Sequence, residues 1–261
     1  MQRAFALYGG QIPNVCPTLD DLSQQANTIF TMPNACSPYR RFLLPAVLAL
    51  LAAAALAVDI PIARLLRAGD EMPTVQSYLN YFGVFEMFGH GSGIIVLILV
   101  LHQLAPKDRW AIPRVALCAL AAGGAADLLK MLVFRVRPRE LQYLTESVWS
   151  TFGQWFPGIC VSSEGQSFPS AHTATAVGFA AALIWLYPQG RVLFSVLAAL
   201  VGCQRIVCGA HYPSDVLFGA ATGCFAVQFV LHIGYLPPWL HRWEKRWQKS
   251  CSSQGCDEVA K

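Results

Sequence analysis

QRIVCGAHYPSD (Gln204–Asp215) joins two long apolar runs, 190–208 and 216–236, and carries an arginine, a histidine and an aspartate at that junction. Apolar runs of about 20 residues have the length that crosses a bilayer. Ionisable side chains are costly inside a membrane and are usually functional where they occur. The stretch therefore predicts a membrane-embedded chain with a polar site at one of its faces.

Four further apolar runs precede these two, at 42–63, 82–104, 110–134 and 171–187. The chain of 261 residues is 55% hydrophobic and 13% charged, and a soluble domain carries roughly twice that charged fraction. We therefore expect an all-α fold, an integral membrane six-helix bundle formed by residues 42–236.

The two ends of the chain differ from this central part in composition. Residues 1–41 are polar, rich in Pro, Asn and Gln, and lack a helical period, which predicts a loosely ordered arm. Residues 237–261 mix tryptophan with arginine and lysine, as segments at a membrane interface often do. If the N-terminus lies inside, twelve of the nineteen Lys and Arg residues fall on the inner segments. This bias predicts that both termini are cytoplasmic.

Polar residues gather at the ends of the last four runs that share one membrane face. They are Lys130 and Arg137 at the end of the third run, Ser170 and His172 at the start of the fourth, Arg205 and His211 at the end of the fifth, and Asp215 at the start of the sixth. The alternation of the spans brings these ends to the same side, whichever way the protein points. The sequence thus predicts an active site at one face, the non-cytoplasmic one if both termini are inside.

The first two of these segments have the features of an anion site. Lys130 and Arg137 are seven residues apart and share one helical face with Asp127. Ser170 follows a proline and precedes a run rich in small residues, so it is expected to cap a helix. Free backbone N–H groups and the positive end of the helix dipole favour an anion there, and His172 lies in the same first turn.

The third segment predicts an oriented histidine. Pro213 suits the first position of a helix. Asp215 follows His211 by four residues, so we expect its carboxylate to reach one imidazole nitrogen and leave the other free to attack. Arg205 is expected to hold phosphate oxygens.

Glu86 and His90 are two further ionisable residues in the second run. They are expected to lie one helical turn apart in its outer half. There they either pair with an arginine of the site or line a substrate path, with Asp127 nearby, and a structural ion pair is the alternative.

The three segments resemble the signature of the type 2 phosphatidic acid phosphatase superfamily: Lys-x6-Arg-Pro, Pro-Ser-Gly-His and Ser-Arg-x5-His-x3-Asp. This chain has Lys130 and Arg137-Pro138, then Pro169-Ser170-Ala171-His172, then Arg205, His211 and Asp215 at the same spacings. Two positions depart from the pattern. Ala171 replaces the glycine near the phosphate, and Gln204 replaces the serine, outside the residues expected to touch phosphate.

The resemblance implies a role for each matched residue. His211 is the nucleophile, Asp215 orients it, and His172 is the general acid and then the base. The phosphate is held by Lys130, Arg137, Ser170, Ala171 and Arg205. Fixed cations replace a metal in this scheme, so no metal and no cofactor are expected.

The implied substrate is a lipid phosphate within the bilayer, such as phosphatidate, phosphatidylglycerol phosphate, a polyprenyl pyrophosphate or a lipid A phosphate. We expect a bacterial inner or cell membrane, no nucleic-acid partner and no required protein partner. Two alternatives stay open at this point. One is a lipid phosphotransferase that uses the same histidine intermediate, and the other is a non-catalytic membrane protein on this fold.

Overall fold

The computed structural model describes residues 38–70, 81–141, 147–155, 165–231 and 242–247. The chain divides into two units, Met1–Arg41 and Phe42–Lys261. Almost all of the predicted arm, 1–41, and most of the predicted tail, 237–261, lie outside the described residues. Their boundaries remain predictions.

The described residues are mostly α-helical. The long helices are α1 Pro38–Asp70, α2 Gly91–Leu104, α3 Ile112–Lys130, α4 Ala171–Leu186, α5 Arg191–Val207 and α6 Pro213–Leu231. A short helix, α7, covers 242–247. Short 3-10 helices lie at Gly83–Phe88, Pro106–Ala111, Pro138–Glu140, Val148–Thr151 and Pro188–Gly190.

Four segments among the described residues are long and apolar enough to cross a membrane: Arg41–Arg67, Pro106–Lys130, Pro188–Val207 and Pro213–Leu231. The helices α2 and α4 are apolar but shorter. Large apolar side chains such as Leu50, Leu104 and Leu120 are exposed along the helices, where lipid can cover them. These features identify an integral membrane protein that is mostly helical.

The second apolar run, 82–104, is not one continuous helix as predicted. A 3-10 helix, Gly83–Phe88, is followed by a break at Gly89 and His90, and α2 starts after it. The His90 side chain caps α2 by accepting from the N–H of Ser92. A Cβ at Gly89 would lie 2.6 Å from the carbonyl oxygen of His172, so the chain can pass this close to α4 only with glycine. Glu86 and His90 therefore do not lie on successive turns of one helix.

The third run, 110–134, also ends earlier than predicted, and the fold is not purely α. Helix α3 stops at Lys130, and a strand β1, Val133–Arg135, pairs antiparallel with β2, Phe152–Trp155. Valine and phenylalanine suit an extended chain. This small sheet places Arg135 opposite Phe152 and carries the chain across the end of the bundle where the predicted site residues lie.

The core forms where α3, α5 and α6 pack around α4, with Val115, Phe179 and Val201 buried at the contacts. Gly219 brings α6 against the start of α4, since a Cβ there would lie 2.4 Å from the carbonyl oxygen of Ser170. Far along the sequence, α7 is attached to α3 by a buried pair. Arg114 donates to Glu244 at 2.6 and 2.9 Å.

Candidate active site

The predicted site residues come from four helix ends and the turn before α6. Lys130 is the last residue of α3, Ser170 caps α4, and Arg205 lies in the last turn of α5. The chain reverses at Gly209, whose φ of 62° suits glycine. It then reaches His211 and enters α6 at Pro213, the predicted first position.

His211 is buried and its ring is held in one orientation. Nδ1 lies 2.6 Å from the carbonyl oxygen of Ser167. A carbonyl can only accept, so Nδ1 carries the hydrogen and Nε2 of the neutral ring keeps its lone pair. Burial first, and then the charges of Lys130, Arg137 and Arg205, lower the pKa of His211 well below 6.5. The ring is therefore neutral and able to attack at neutral pH.

Asp215 does not hold the imidazole as the sequence predicted. Its Oδ2 is 3.9 Å from Nδ1 of His211, too far for a hydrogen bond. That oxygen instead accepts from the Ser167 hydroxyl at 2.6 Å and from the N–H of Tyr212 at 3.0 Å. The expectation from spacing was wrong because a carbonyl 44 residues away takes the imidazole N–H.

Asp215 is part of a group of buried residues that we call the buried cluster: Asp59, Arg135, Thr151, Ser167, Ser214 and Asp215. Arg135 is at its centre and pairs with both carboxylates, at 2.6 Å to Asp59. It also donates to Ser214 at 2.7 Å and to Thr151 at 3.2 Å. The cluster thus ties α1, β1 and the start of α6 together directly behind His211.

Ser170 caps α4 as predicted. Its hydroxyl accepts from the N–H of Thr173 at 3.4 Å and from the Thr173 hydroxyl at 2.9 Å. Its own N–H donates to the carbonyl of Asp215 at 3.0 Å. The second and third sequence segments are joined at this point. Ala171 and His172 follow as the first two residues of the helix.

A second group, the partly exposed cluster, contains Glu86 and His172, which are partly exposed, and Gln204 and Arg205, which are largely buried beside them. Glu86 Oε2 lies 2.7 Å from Arg205 Nη2, and its Oε1 lies 3.4 Å from His172 Nε2. Gln204 accepts from Arg205 Nε at 2.6 Å. About a third of the Glu86 side chain is exposed, 33%. Glu86 thus pairs with Arg205, which fits both the expected pairing with an arginine and the structural ion pair given as its alternative.

His90 and the cations of the first segment complete the surroundings. The His90 ring stacks on His172 with centroids 5.6 Å apart. Lys130 Nζ lies 3.5 Å from Asp127, whose side chain is largely exposed. Arg137 has a buried Nε without a hydrogen-bond partner among the described residues. An unpaired buried donor is costly, and an anion beside it would remove that cost.

A cavity of about 340 Å³ lies between α1 and the turn that carries His211. Its lining includes Ile62, Leu66, Arg67, Arg139 and His211. Ser170, His172 and Arg205 are not part of that lining. We therefore do not assign the phosphate site to this cavity.

Sequence reasoning missed three residues: Asp59, Arg135 and Gln204. Asp59 is the one ionisable residue in the run 42–63. This position could have indicated a functional residue, because ionisable residues within membrane spans are usually functional. Arg135 lies between Lys130 and Arg137, and it was missed because only those two residues match the family pattern. Gln204 was expected to matter little, yet it holds the guanidinium of Arg205.

The chain is similar in sequence to known membrane phosphatases. Residues 112–237 match the family model of the PAP2 superfamily. A lipid A 1-phosphatase of Rhizobium johnstonii is 37% identical over 105 residues, which cover 40% of this chain and 40% of that protein. The chain thus spans about two fifths of the length of this relative.

A second relative is matched over more of its length. The decaprenylphosphoryl-5-phosphoribose phosphatase of Mycobacterium tuberculosis is 32% identical over 161 residues, covering 60% of this chain and 77% of that protein. Among solved structures, a PAP2-type phosphatidylglycerolphosphate phosphatase from Bacillus subtilis aligns with a TM-score of 0.47 and 20% identity, over 74% of this chain and 93% of that one. On the family match and the extent of the mycobacterial one, the chain belongs to the PAP2 superfamily.

Proposed function

We propose that this chain is a membrane lipid phosphatase that works through a phosphohistidine, without a metal, on a phosphomonoester or pyrophosphate of a lipid. The observation that carries the proposal is the state of His211. Its Nδ1 faces the Ser167 carbonyl, and three cations, Lys130, Arg137 and Arg205, act on its ring. A neutral nucleophile beside concentrated positive charge is what phosphoryl transfer requires.

In the proposed reaction, Nε2 of His211 attacks phosphorus and the bond to the ester oxygen breaks. The electron pair leaves with that oxygen, which takes a proton from His172. Water activated by His172 then attacks the phosphohistidine and releases inorganic phosphate. Asp215, which does not touch the imidazole N–H here, acts on the ring through its charge.

The phosphate oxygens are held by cations and backbone in this proposal. The unpaired Nε of Arg137 and the remaining N–H groups of Arg205 are donors for them. Ser170 and the backbone N–H groups at the start of α4 add the positive end of a helix dipole. Ala171 places a methyl group where the family pattern has glycine. Charge on the equatorial oxygens is stabilised most in the transition state.

A lipid substrate suits the position of the site. The polar residues lie at the ends of apolar helices, so a headgroup can reach them while its tail stays in the bilayer. Two relatives are named for lipid A and for a decaprenyl-linked sugar phosphate, which supports a lipid-linked phosphate. The candidates expected from the resemblance all fit this description.

The membrane arrangement is also part of the proposal. All six helices α1–α6 cross a bacterial inner membrane, with α2 and α4 as short crossings and both termini in the cytoplasm. The arm 1–41 and the tail 237–261 then lie on the inner side. The active site faces the non-cytoplasmic side. Glu86, His90 and Asp127 line the way in from the bilayer.

The test is phosphate release from a panel of lipid phosphates in detergent micelles. Wild type, His211→Ala and His172→Ala are compared, each with and without EDTA. We expect release by wild type that EDTA does not reduce, and a loss of about 10³-fold or more in His211→Ala, since removal of a nucleophile is among the largest effects known. Equal release by wild type and His211→Ala would refute the phosphohistidine. A phosphorylated lipid acceptor formed in place of released inorganic phosphate would identify the phosphotransferase instead.

A further inference from the structure

The buried cluster contains more negative than positive charge. Arg135 supplies one guanidinium, while Asp59 and Asp215 supply two carboxylates, and all three side chains have no exposed surface. Nη2 of Arg135 goes to Asp59, and Nη1 is shared by Ser214 and Asp215. Asp215 therefore does not have the arginine to itself.

Asp59 is also fixed from the other direction. Its Oδ1 accepts from the N–H of Ser214 at 3.0 Å, and its Oδ2 accepts from the Ser214 hydroxyl. These bonds join the middle of α1 to the first turn of α6. Asp59 lies outside the residues that match the family model, 112–237, so the family pattern does not account for it.

The net charge of this cluster matters to His211. When Nε2 bonds to phosphorus, the ring becomes positively charged. The positive charges of Lys130, Arg137 and Arg205 act on this ring and oppose that charge. Asp215 Oδ2, 3.9 Å from Nδ1, is the nearby negative group. A fixed charge in a water-excluded place acts strongly on charge that develops during reaction.

We propose that Asp59 is a positioning residue for the reaction. By sharing Arg135, it leaves the buried cluster with one net negative charge behind His211, and that charge stabilises the phosphohistidine. This inference rests on the proposed function. With Asp59 neutral, Arg135 would cancel the charge of Asp215, and attack by His211 would become less favourable. Asp59 acts through Arg135 and Asp215 and does not touch the substrate.

The test is Asp59→Asn, which keeps the size of the side chain and one acceptor oxygen but removes the charge. The matched control is Glu244→Gln, which also removes a fully buried carboxylate from an arginine, Arg114, in another part of the fold. A merely structural role for Asp59 would make both variants lose activity in proportion to their loss of thermal stability.

We expect Asp59→Asn to lower the rate of phosphohistidine formation in a quenched-flow burst by about 10- to 100-fold, as an electrostatic contribution to the reacting group would. KM should stay within about threefold because the phosphate contacts are unchanged. Glu244→Gln should keep the burst rate. Equal burst rates in Asp59→Asn and wild type would overturn the proposal. So would equal losses in Asp59→Asn and Glu244→Gln at matched stability.

A binding measurement separates this proposal from the phosphatase proposal. Orthovanadate can accept a fifth ligand, so its vanadium forms a bond with the lone pair of His211 Nε2. Inorganic phosphate binds without a bond to Nε2. We expect Asp59→Asn to bind orthovanadate about tenfold more weakly and phosphate equally well, in line with loss of one charge at this distance. Equal orthovanadate affinity would overturn the role of Asp59.

Failure of the proposed function and failure of the proposed role of Asp59 can be distinguished. If wild type hydrolyses nothing in the panel, the proposed function fails while the orthovanadate comparison still tests Asp59. If Asp59→Asn does not fold, Asp59→Ser removes the same charge with a smaller side chain that leaves room for water. The same measurements then apply to that variant.

Discussion

The buried cluster and the partly exposed cluster contain similar chemical groups in opposite environments. Each has an arginine paired with carboxylate and held by a neutral side chain: Arg135 with Asp59 and Ser214, and Arg205 with Glu86 and Gln204. Arg135 and its partner Asp59 have no exposed surface, whereas the Arg205 side chain is 11% exposed and its partner Glu86 is 33% exposed. An arginine with all its nitrogen atoms engaged inside protein can only organise its neighbours. One at an open edge can also meet a ligand.

The difference shows that one arginine can stabilise the fold around the site while another is placed to bind a ligand. Burying a charge pair is costly, and removing one partner leaves an uncompensated charge inside protein. A partly exposed pair is screened by solvent and contributes little to stability. We therefore expect loss of the buried arginine to act mainly on the fold, whereas Asp59→Asn leaves that arginine paired with Asp215 and acts on the reaction as proposed above. Mutations in the partly exposed cluster should act mainly on the reaction.

The largest effect should come from Arg135→Met. It leaves Asp59 and Asp215 buried without a cation, and the free energy of unfolding should fall by about 3–5 kcal/mol. Arg205→Met should cost about 1 kcal/mol or less because its partner is partly exposed. It should nevertheless lower phosphate release by about 10²–10³-fold, as loss of a donor to transition-state charge does.

Thermal unfolding of both variants in the same detergent measures the loss of stability. The micelle assay measures the loss of phosphate release. Equal destabilisation by Arg135→Met and Arg205→Met would show that burial does not separate the two clusters. Full activity in Arg205→Met would remove this arginine from the site.

A smaller effect is expected from Glu86→Gln. The amide keeps the shape of the side chain but cannot stabilise a protonated His172, so general-acid catalysis should weaken. We expect phosphate release from a lipid monoester to fall by about 10- to 100-fold, within the range of acid–base contributions. Release from p-nitrophenyl phosphate, measured as kcat/KM, should fall less because its leaving group needs little protonation.

The control is Glu140→Gln. Glu140 is 35% exposed and pairs with Arg139 at 3.0 Å, so it matches Glu86 in exposure and partner type. We expect it to leave both substrates unaffected. Equal losses for the two substrates in Glu86→Gln would mean that Glu86 does not act through His172.

The two clusters also differ in how far the sequence predicts them. Ser170 as a cap and Pro213 as a helix start follow from local preferences, and both are confirmed. Glu86 was singled out because it is ionisable in an apolar run, but its helix breaks at Gly89. That break depends on how closely the turn approaches His172, which no local pattern encodes.

The buried cluster was harder to predict because its contacts join residues far apart in the chain. Arg135 and Asp59 are 76 residues apart, and Ser214 and Asp59 are 155 apart. The four-residue spacing within one segment predicted only that His211 and Asp215 lie close together. It could not show that the carbonyl of Ser167 would take the imidazole N–H.

The smallest effect we expect is from Gln204→Ser, which gives this chain the residue of the family pattern. Serine is too short to accept a hydrogen bond from Nε of Arg205. The guanidinium therefore loses its hydrogen bond to residue 204 and keeps its ion pair with Glu86. We expect phosphate release to fall by about threefold to tenfold, as loss of one hydrogen bond to a charged group would cause.

The double variant Glu86→Gln with Gln204→Ser tests whether the partly exposed cluster acts as a unit. Both side chains hold the same guanidinium, so their effects on kcat/KM should not add, whereas independent sites would give the product of the two losses. Simple multiplication would mean that Gln204 and Glu86 serve separate functions. The partly exposed cluster would then be two separate contacts to one arginine, unlike the buried cluster, in which Arg135 joins Asp59, Ser214 and Asp215.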